Sequence, residues 1–121
     1  MTRASGYMPP REPRAYLNDA LAAIDAIDDF VRAKSYEDYI VDRLLQSAVE
    51  RQFVIVGEAL AQWSRLETSD GALIPDLPRI VGFCNVLVHG YALVDHDQVW
   101  AAVVRRLPTL RAVLNQLLND G

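Results

Sequence analysis

Three polar side chains interrupt an apolar run in the C-terminal half of the chain, within residues 82–91, GFCNVLVHGY. Asn85, His89 and Tyr91 lie within seven residues of one another, and Cys84, the one cysteine of the chain, stands beside them. Histidine exchanges protons near neutral pH. Asparagine both donates and accepts hydrogen bonds, and tyrosine adds a hydroxyl group. This segment therefore has the groups needed for proton transfer on a positioned substrate.

The spacing of these residues is helical. Residues four apart share a helix face, so Asn85 and His89 are expected one turn apart on the same side. Gly90 is a natural helix stop, which would leave Tyr91 just beyond the helix end. Composition and spacing alone favour a purely structural interpretation, because a His in the last turn followed by Gly is ordinary capping chemistry. Tyr91 could then be a half-buried core residue with its hydroxyl in water.

Cys84 and His89 do not form an obvious nucleophilic pair. They are five residues apart, which places them about 140° apart around a straight helix. Both can face one small cleft only if the helix ends or distorts between them, or if a second subunit completes the site. The sequence does not indicate a metal site either. A predicted helix break separates His89 from His96, and one Cys with these two residues does not have the spacing of zinc ligands. The sequence also has no Gly-rich phosphate loop, so no metal or cofactor is predicted.

Residues 85–91, NVLVHGY, resemble the core motif of the HepT-like family of the HEPN superfamily, R-N-x-x-x-H-x-Y. Two further segments carry the same resemblance. Residues 50–60, ERQFVIVGEAL, are similar to the second long helix of that family, and the stretch from Val94 to Pro108 is similar to its last helix. The resemblance covers residues 14–118 and implies a helical fold and a ribonuclease-type activity.

The resemblance also implies residue roles. In the family, a histidine assists proton transfer while the RNA's own 2′-hydroxyl attacks the phosphate without a metal, and an arginine steadies the phosphate. His89 occupies the histidine position, and Asn85 and Tyr91 would position the reacting groups. The arginine position, five residues before the histidine, is occupied by Cys84; Arg79 lies ten residues before and does not match. A thiol offers a weak donor and no positive charge, so the ribonuclease expectation is weakened while the fold and partner expectations remain.

The family resemblance implies partners as well. It predicts a homodimer in which two motifs meet across the interface, an RNA substrate, and an antitoxin that is a small nucleotidyltransferase of the MNT type. In that pairing, Tyr91 would accept a transferred AMP. The alternative hypothesis is an inactive dimer that still binds the nucleotidyltransferase. Whether Cys84 is natural or a detoxifying change stays open at the sequence level.

The composition of the chain limits its possible size class, binding partners and location. The chain has 121 residues, enough for one modest domain, and 51% of them are hydrophobic. A net charge of −4 argues against nucleic-acid binding by bulk charge but leaves room for a local basic site. One cysteine excludes an intramolecular disulfide and fits the cytoplasm. The sequence contains no apolar run of about 18 residues, so no transmembrane helix is expected, and residues 1–10 lack the apolar core of a signal peptide.

Hydrophobic periodicity predicts an all-α, up-and-down bundle of four main helices over residues 13–119, after a loose tail at 1–12. The first two helices are expected at 13–33 and 36–66, with Ser35 capping the second and an apolar side that includes Leu44. The third would start at a capping Asp76, and the fourth at a capping Asp95. Pro108 should kink this last helix.

The second predicted helix leaves two alternatives open. Residues 53–56, FVIV, are apolar all round, so they should contact either the centre of the monomer core or a dimer partner. Arg51 and Glu58 flank that zone. They would form structural salt bridges, or they would face the cleft of the motif and support the site.

Overall fold

Helices make up nearly all of the structure, a computed structural model that describes residues 11–66, 73–89 and 94–120. In chain order the helices are α1 (Pro13–Val31), α2 (Tyr36–Ile40), α3 (Arg43–Leu66), α4 (Leu77–His89), α5 (His96–Ala101) and α6 (Leu107–Asp120). A π-helical segment, Ala102–Arg106, joins α5 to α6, so residues 96–120 form one continuous helical stretch. Within the described ranges no residue is in a β-strand, which confirms the all-α prediction.

Helix α1 follows its predicted pattern. Pro13 opens it, and the buried stripe includes Leu17, Ile24 and Ile27. The helix ends at Val31, however, two residues before the predicted end. Ala33 adopts a left-handed conformation with φ of 63°, and the Lys34 N–H bonds to the Val31 carbonyl at 2.8 Å, so the chain turns out of the helix there.

The predicted helix at 36–66 is wrong as one element, because the chain breaks at residues 41–42. Ser35 caps α2 as predicted, and it forms a capping box with Asp38. Asp42 then starts α3, since its carboxylate accepts the N–H of Leu45 at 3.0 Å and its carbonyl accepts that of Gln46 at 2.9 Å. This second cap moves the apolar face by one residue. Leu45 is buried, whereas Leu44, predicted on the apolar side, is 81% exposed.

The two C-terminal helical stretches start near their predicted caps. Asp95 accepts the N–H groups of Asp97 and Gln98, as an N-cap does. Asp76, with φ of 61°, precedes α4, and its carbonyl accepts the N–H groups of Arg79 and Ile80. Pro108 does not break the last helix. The Leu107 N–H reaches back five residues to the Ala102 carbonyl, so the chain absorbs the missing proline donor in a wide π turn.

The four long helical stretches run alternately up and down. The Arg14 guanidinium at the start of α1 donates to the Leu118 carbonyl near the end of α6 at 2.8 Å, and Arg111 of α6 pairs with Asp25 and Asp28 of α1. These contacts make α1 and α6 antiparallel. Helices α3 and α4 are antiparallel as well, because Gly57 opposes Cys84 while the end of α3 meets the start of α4. In the described part of the chain, no helix combines the length and apolarity that a membrane crossing requires.

A buried polar cluster ties α2, α3 and α5 together. The Tyr39 ring, fully buried, lies edge-on to His96 at 6.0 Å and beside Trp100 at 5.2 Å between ring centroids. His96 Nδ1 lies 3.7 Å from a carboxylate oxygen of Glu50. Burial raises the pKa of Glu50, and the nearby His96 opposes that shift. This cluster fixes the start of α5 against the first half of α3.

Candidate functional site

The predicted polar motif lies on the last two turns of α4, which ends at His89. Asn85 and His89 are both exposed and one helical turn apart, so their polar groups are available on the surface of the helix. Leu87 is buried and Phe83 is half-buried, so they form the core face of α4, whereas Val88 is 44% exposed. Gly90 and Tyr91 lie outside the described residues, so the position of the tyrosine stays a prediction.

Cys84 faces the opposite way, into the contact between α3 and α4. Its side chain is 1% exposed. A Cβ built on Gly57 would lie 2.4 Å from the Cys84 Cβ and 3.1 Å from its Sγ, so only a glycine fits at position 57 with the helices this close. Burial raises the pKa of the Cys84 thiol to about 12. At neutral pH this group is an inert, protonated core thiol.

The close contact at Gly57 sets the register of α3 against the motif. His89 lies five residues beyond Cys84, about 7.5 Å along α4, and Arg51 lies six residues before Gly57, about 9 Å along α3. Because the two helices are antiparallel, His89 and Arg51 are at nearly the same level of the bundle. Both side chains are exposed.

An open cleft of about 520 Å³ adjoins the motif. Asn85 lines it from α4, Glu58 and Arg65 from α3, and Tyr16 and Asp19 from α1. Asn85 and Glu58 each follow directly after the two residues of the close contact, which explains why they emerge on the same side of the helix pair. The interhelical contact therefore places an amide, a carboxylate and a guanidinium around one opening.

The structure does not contain the salt bridges expected for Arg51 and Glu58. Neither residue takes part in an ion pair within residues 11–66, 73–89 and 94–120. The neighbouring Glu50 lies 3.7 Å from His96 Nδ1. Glu58 lines the cleft with Asn85, and Arg51 is exposed at the level of His89. Glu58 therefore lies where the second alternative places it, whereas Arg51 is not among the residues that line the cleft and its role stays a prediction.

Arg65 is a cleft residue that the sequence did not single out. It lies eight residues after Gly57 on α3 and borders two adjoining clefts together with Asn85. No motif marks it, but its spacing does. Residues 58 and 65 are seven apart and so occupy the same face of a helix. A prediction that Glu58 faces the motif would have placed Arg65 there as well.

The residues 53–56, whose partner was left open, divide between two environments. Phe53 and Val56 are buried, and the Phe53 ring lies edge-on to Phe83 at 5.4 Å between centroids. Val54 and Ile55 are only half-buried. The segment thus supplies the monomer core on one side and an incompletely covered apolar surface on the other.

The arrangement supports acid–base chemistry at an exposed imidazole, with an amide one turn away and guanidinium groups on the neighbouring helix. Among the described residues no group of His, Cys, Asp and Glu side chains is placed to hold a metal ion. Position 84 carries no charge, because burial keeps the Cys84 thiol protonated.

The sequence profile of the HepT-like ribonuclease family matches residues 20–117. A protein of Methanocaldococcus jannaschii named as an inferred RNase is 27% identical over 115 residues, which cover 93% of this chain and 97% of its own length. The probable ribonuclease HepT of Thermococcus cleftensis is 30% identical over 109 residues, covering 88% of this chain and 96% of its own. The comparison with solved structures gave no significant match.

The contact between Gly57 and Cys84 predicts opposite effects for two similar substitutions. Gly57→Ala should lower the free energy of unfolding by about 1–3 kcal/mol, because its new Cβ would overlap the Cys84 Cβ. Gly82→Ala should raise that free energy by about 0.5–1 kcal/mol, because its Cβ meets nothing within 4 Å. Urea unfolding of both variants measures the difference.

A second step in the same experiment locates the overlap. Cys84→Ala keeps the Cβ and should not relieve the Gly57→Ala variant, whereas Cys84→Gly should relieve part of the loss. Equal stability of Gly57→Ala and Gly82→Ala would show that the helices are not held together at this contact.

Proposed function

Because the chain belongs to the HepT-like ribonuclease family, we propose that it is the toxin of a toxin–antitoxin pair, a metal-independent endoribonuclease whose RNA cleavage is impaired. The observation that carries this proposal is the exposed pair Asn85 and His89 on α4, in a motif whose arginine position holds the buried Cys84. The protein would act in the cytoplasm, where its RNA substrates are found.

The proposed reaction needs only groups that this face of the bundle offers. The 2′-hydroxyl of the RNA attacks the adjacent phosphorus, the bond to the 5′-oxygen of the next nucleotide breaks, and a cyclic phosphate and a free 5′-hydroxyl result. His89 accepts or donates a proton in this exchange. Asn85 donates a hydrogen bond to a phosphate oxygen from one turn away.

The impairment follows from charge. Negative charge builds on the phosphate oxygens in the transition state, and a neutral thiol buried between helices cannot stabilise it. Losing a guanidinium at such a place typically costs a few kcal/mol, or about a hundredfold or more in rate. Arg51 and Arg65 are exposed on the motif side of α3 and would supply part of the missing charge.

A homodimer would complete the site. The helix pair that carries the motif has incompletely covered apolar side chains, with Val88 of α4 44% exposed and Val54 and Ile55 of α3 half-buried. Such a patch next to polar groups is typical of an interface between subunits. Two copies packed through this face would bring their two His89 side chains into one cleft.

A second function is favoured by the burial of Cys84. A core thiol at the arginine position is what a chain would retain if it kept the fold and lost catalysis. In that case the protein is an inactive dimer that binds an MNT-type nucleotidyltransferase and accepts AMP on Tyr91. The phenolic oxygen of the tyrosine would attack the α-phosphorus of ATP, and pyrophosphate would leave.

RNA cleavage without metal tests the first proposal. We expect slow cleavage by the protein itself, none by His89→Ala, and cleavage about a hundredfold or more faster by Cys84→Arg. His96→Ala is the matched control, because it removes the other histidine, which lies outside the motif. Circular dichroism must show that each variant is folded, since Cys84→Arg places a guanidinium at a position that is 1% exposed.

The outcomes of this assay separate the alternatives. Fast cleavage by the protein as it stands, lost in His89→Ala, would show that the motif arginine is dispensable and that the proposed impairment is wrong. Absence of cleavage by every folded variant would reject the ribonuclease and favour the binding function.

The proposed interface predicts that charge at its centre separates the subunits. Val88→Glu should convert a dimer into a monomer, as measured by light scattering after size-exclusion chromatography, because a carboxylate would be buried without a partner. Val104→Glu is the control, since Val104 is exposed by 54% but lies on the π segment. A dimer that survives Val88→Glu, or a protein that is monomeric throughout, would contradict the proposed interface.

The second function predicts a covalent change at one residue. Incubation with an MNT-type nucleotidyltransferase, ATP and magnesium should add one adenylate group to the chain, as detected by intact mass spectrometry. Tyr91→Phe should abolish the addition, whereas Tyr7→Phe, outside the motif, should not. Modification of Tyr91→Phe to the same extent would exclude Tyr91 as the acceptor.

A further inference from the structure

Three arginines line a separate cleft of about 340 Å³ between the start of α4 and the last helical stretch. This cleft is called the second cleft below. Arg79 lines it from α4, and Arg105 and Arg106 line it from the π segment. All three side chains are exposed. Thr109 adds a hydroxyl group, and Asp76 is the carboxylate among the described lining residues. In a chain whose net charge is −4, this is a local concentration of positive charge.

Other arginines of this protein have structural partners. Arg11 pairs with Asp19, Arg32 with Asp29, and Arg111 with Asp25 and Asp28. The three arginines of the second cleft take part in no ion pair within the described ranges. Three guanidinium groups held near one another without carboxylate partners repel each other, and an anion relieves that repulsion.

The π segment is the structural reason that two of these arginines are neighbours in the cleft. Successive side chains on an α-helix diverge by about 100°, and a π turn, which closes over five residues, reduces that divergence. Arg105 and Arg106 are consecutive, and both line the cleft. The turn that absorbs Pro108 thus presents two guanidinium groups on one side of the helix.

The form of the cleft indicates the class of anion. Its floor is apolar, with Ile80 half-buried and Leu110 buried, while its charges stand exposed at the rim. A small molecule is usually enclosed and oriented by buried polar groups. An open apolar floor with exposed arginines suits a chain that crosses the cleft, with bases over the floor and phosphates at the rim.

An exposed stripe of α4 connects this cleft to the motif. Arg79, Gly82, Val86 and His89 are exposed and follow one another at helical spacing over about 15 Å. Gly82 stands in the middle of the stripe, and a Cβ there would meet nothing within 4 Å, so packing inside the protein does not require a glycine. A glycine at this point leaves room for another molecule to approach the helix closely.

We propose that Arg79, Arg105 and Arg106 form a phosphate-binding exosite for single-stranded RNA, which then follows α4 past Gly82 to His89. The inference rests on the proposed function, because it takes RNA as the ligand. It adds a substrate-binding surface that lies outside the motif, on the side of α4 that faces the π segment.

The test measures RNA binding rather than cleavage, by fluorescence anisotropy of a labelled single-stranded RNA and the protein with Cys84 unchanged. The triple variant Arg79→Gln, Arg105→Gln and Arg106→Gln should bind about tenfold or more weakly at low salt. The slope of the logarithm of its binding constant against the logarithm of the salt concentration should fall in magnitude by about two. This is the change expected for the loss of three phosphate contacts to a single strand. Arg43→Gln is the matched control, because it removes one exposed arginine far from the cleft.

Competition measurements and one further variant identify the ligand and the route of the RNA along α4. An acidic peptide that displaces RNA as well as unlabelled RNA does would overturn the exosite in favour of a protein partner. Free AMP or inorganic phosphate should compete only weakly, and competition equal to that of RNA would replace the strand by a small phosphate ligand. Gly82→Phe should weaken RNA binding by blocking the stripe, and unchanged affinity would overturn the path along α4.

Failure of this inference is distinguishable from failure of the proposed function. If the triple variant binds RNA with the affinity and salt dependence of Arg43→Gln, the exosite is wrong even if Cys84→Arg cleaves RNA. If no variant cleaves RNA but the triple variant loses binding, the exosite stands and the ribonuclease proposal fails.

Discussion

The close contact between Gly57 and Cys84 is the constraint on which the site depends. Because neither side chain extends far from its backbone, α3 and α4 approach closely enough that a single added Cβ would overlap its neighbour. This contact fixes the distance, level and rotation of one helix against the other. Glu58 and Asn85 follow directly after the two contact residues, so their positions in the cleft are set by the same contact.

That constraint also limits which side chains fit at position 84. A guanidinium at position 84 would have to leave a place that is 1% exposed, or be buried at a cost of several kcal/mol. A small thiol avoids that cost and packs against Gly57. The fold is therefore satisfied by Cys84, while Asn85 and His89 are exposed on another face of α4. Under the proposed ribonuclease function, packing and catalysis would make opposite demands at this one position.

Features that depend on near neighbours in the chain could be predicted from the sequence, whereas contacts between residues of distant segments could not. The apolar stripe of α1, the caps at Ser35 and Asp95 and the helical relation of Asn85 to His89 depend on near neighbours. The break before α3 was missed because Asp42 was not recognised as a cap, and this misplaced Leu44. Arg79 and Arg105 are 26 residues apart in the chain and share a cleft only through tertiary packing. Arg65 was missed although its seven-residue spacing from Glu58 places both residues on the same face of α3.

The π segment gives the C-terminal helix a built-in register shift. A π turn holds one residue more than the α turn it replaces, so α6 is rotated by about 100° from the direction that α5 alone would give it. Arg111 and Leu118 reach α1 from that rotated position. Loss of one residue between 102 and 106 would turn the π turn into an ordinary α turn and leave both contacts facing α1. Loss of one residue from a regular α-helical part of α6 before Arg111 would instead rotate both contacts away from α1 by about 100°.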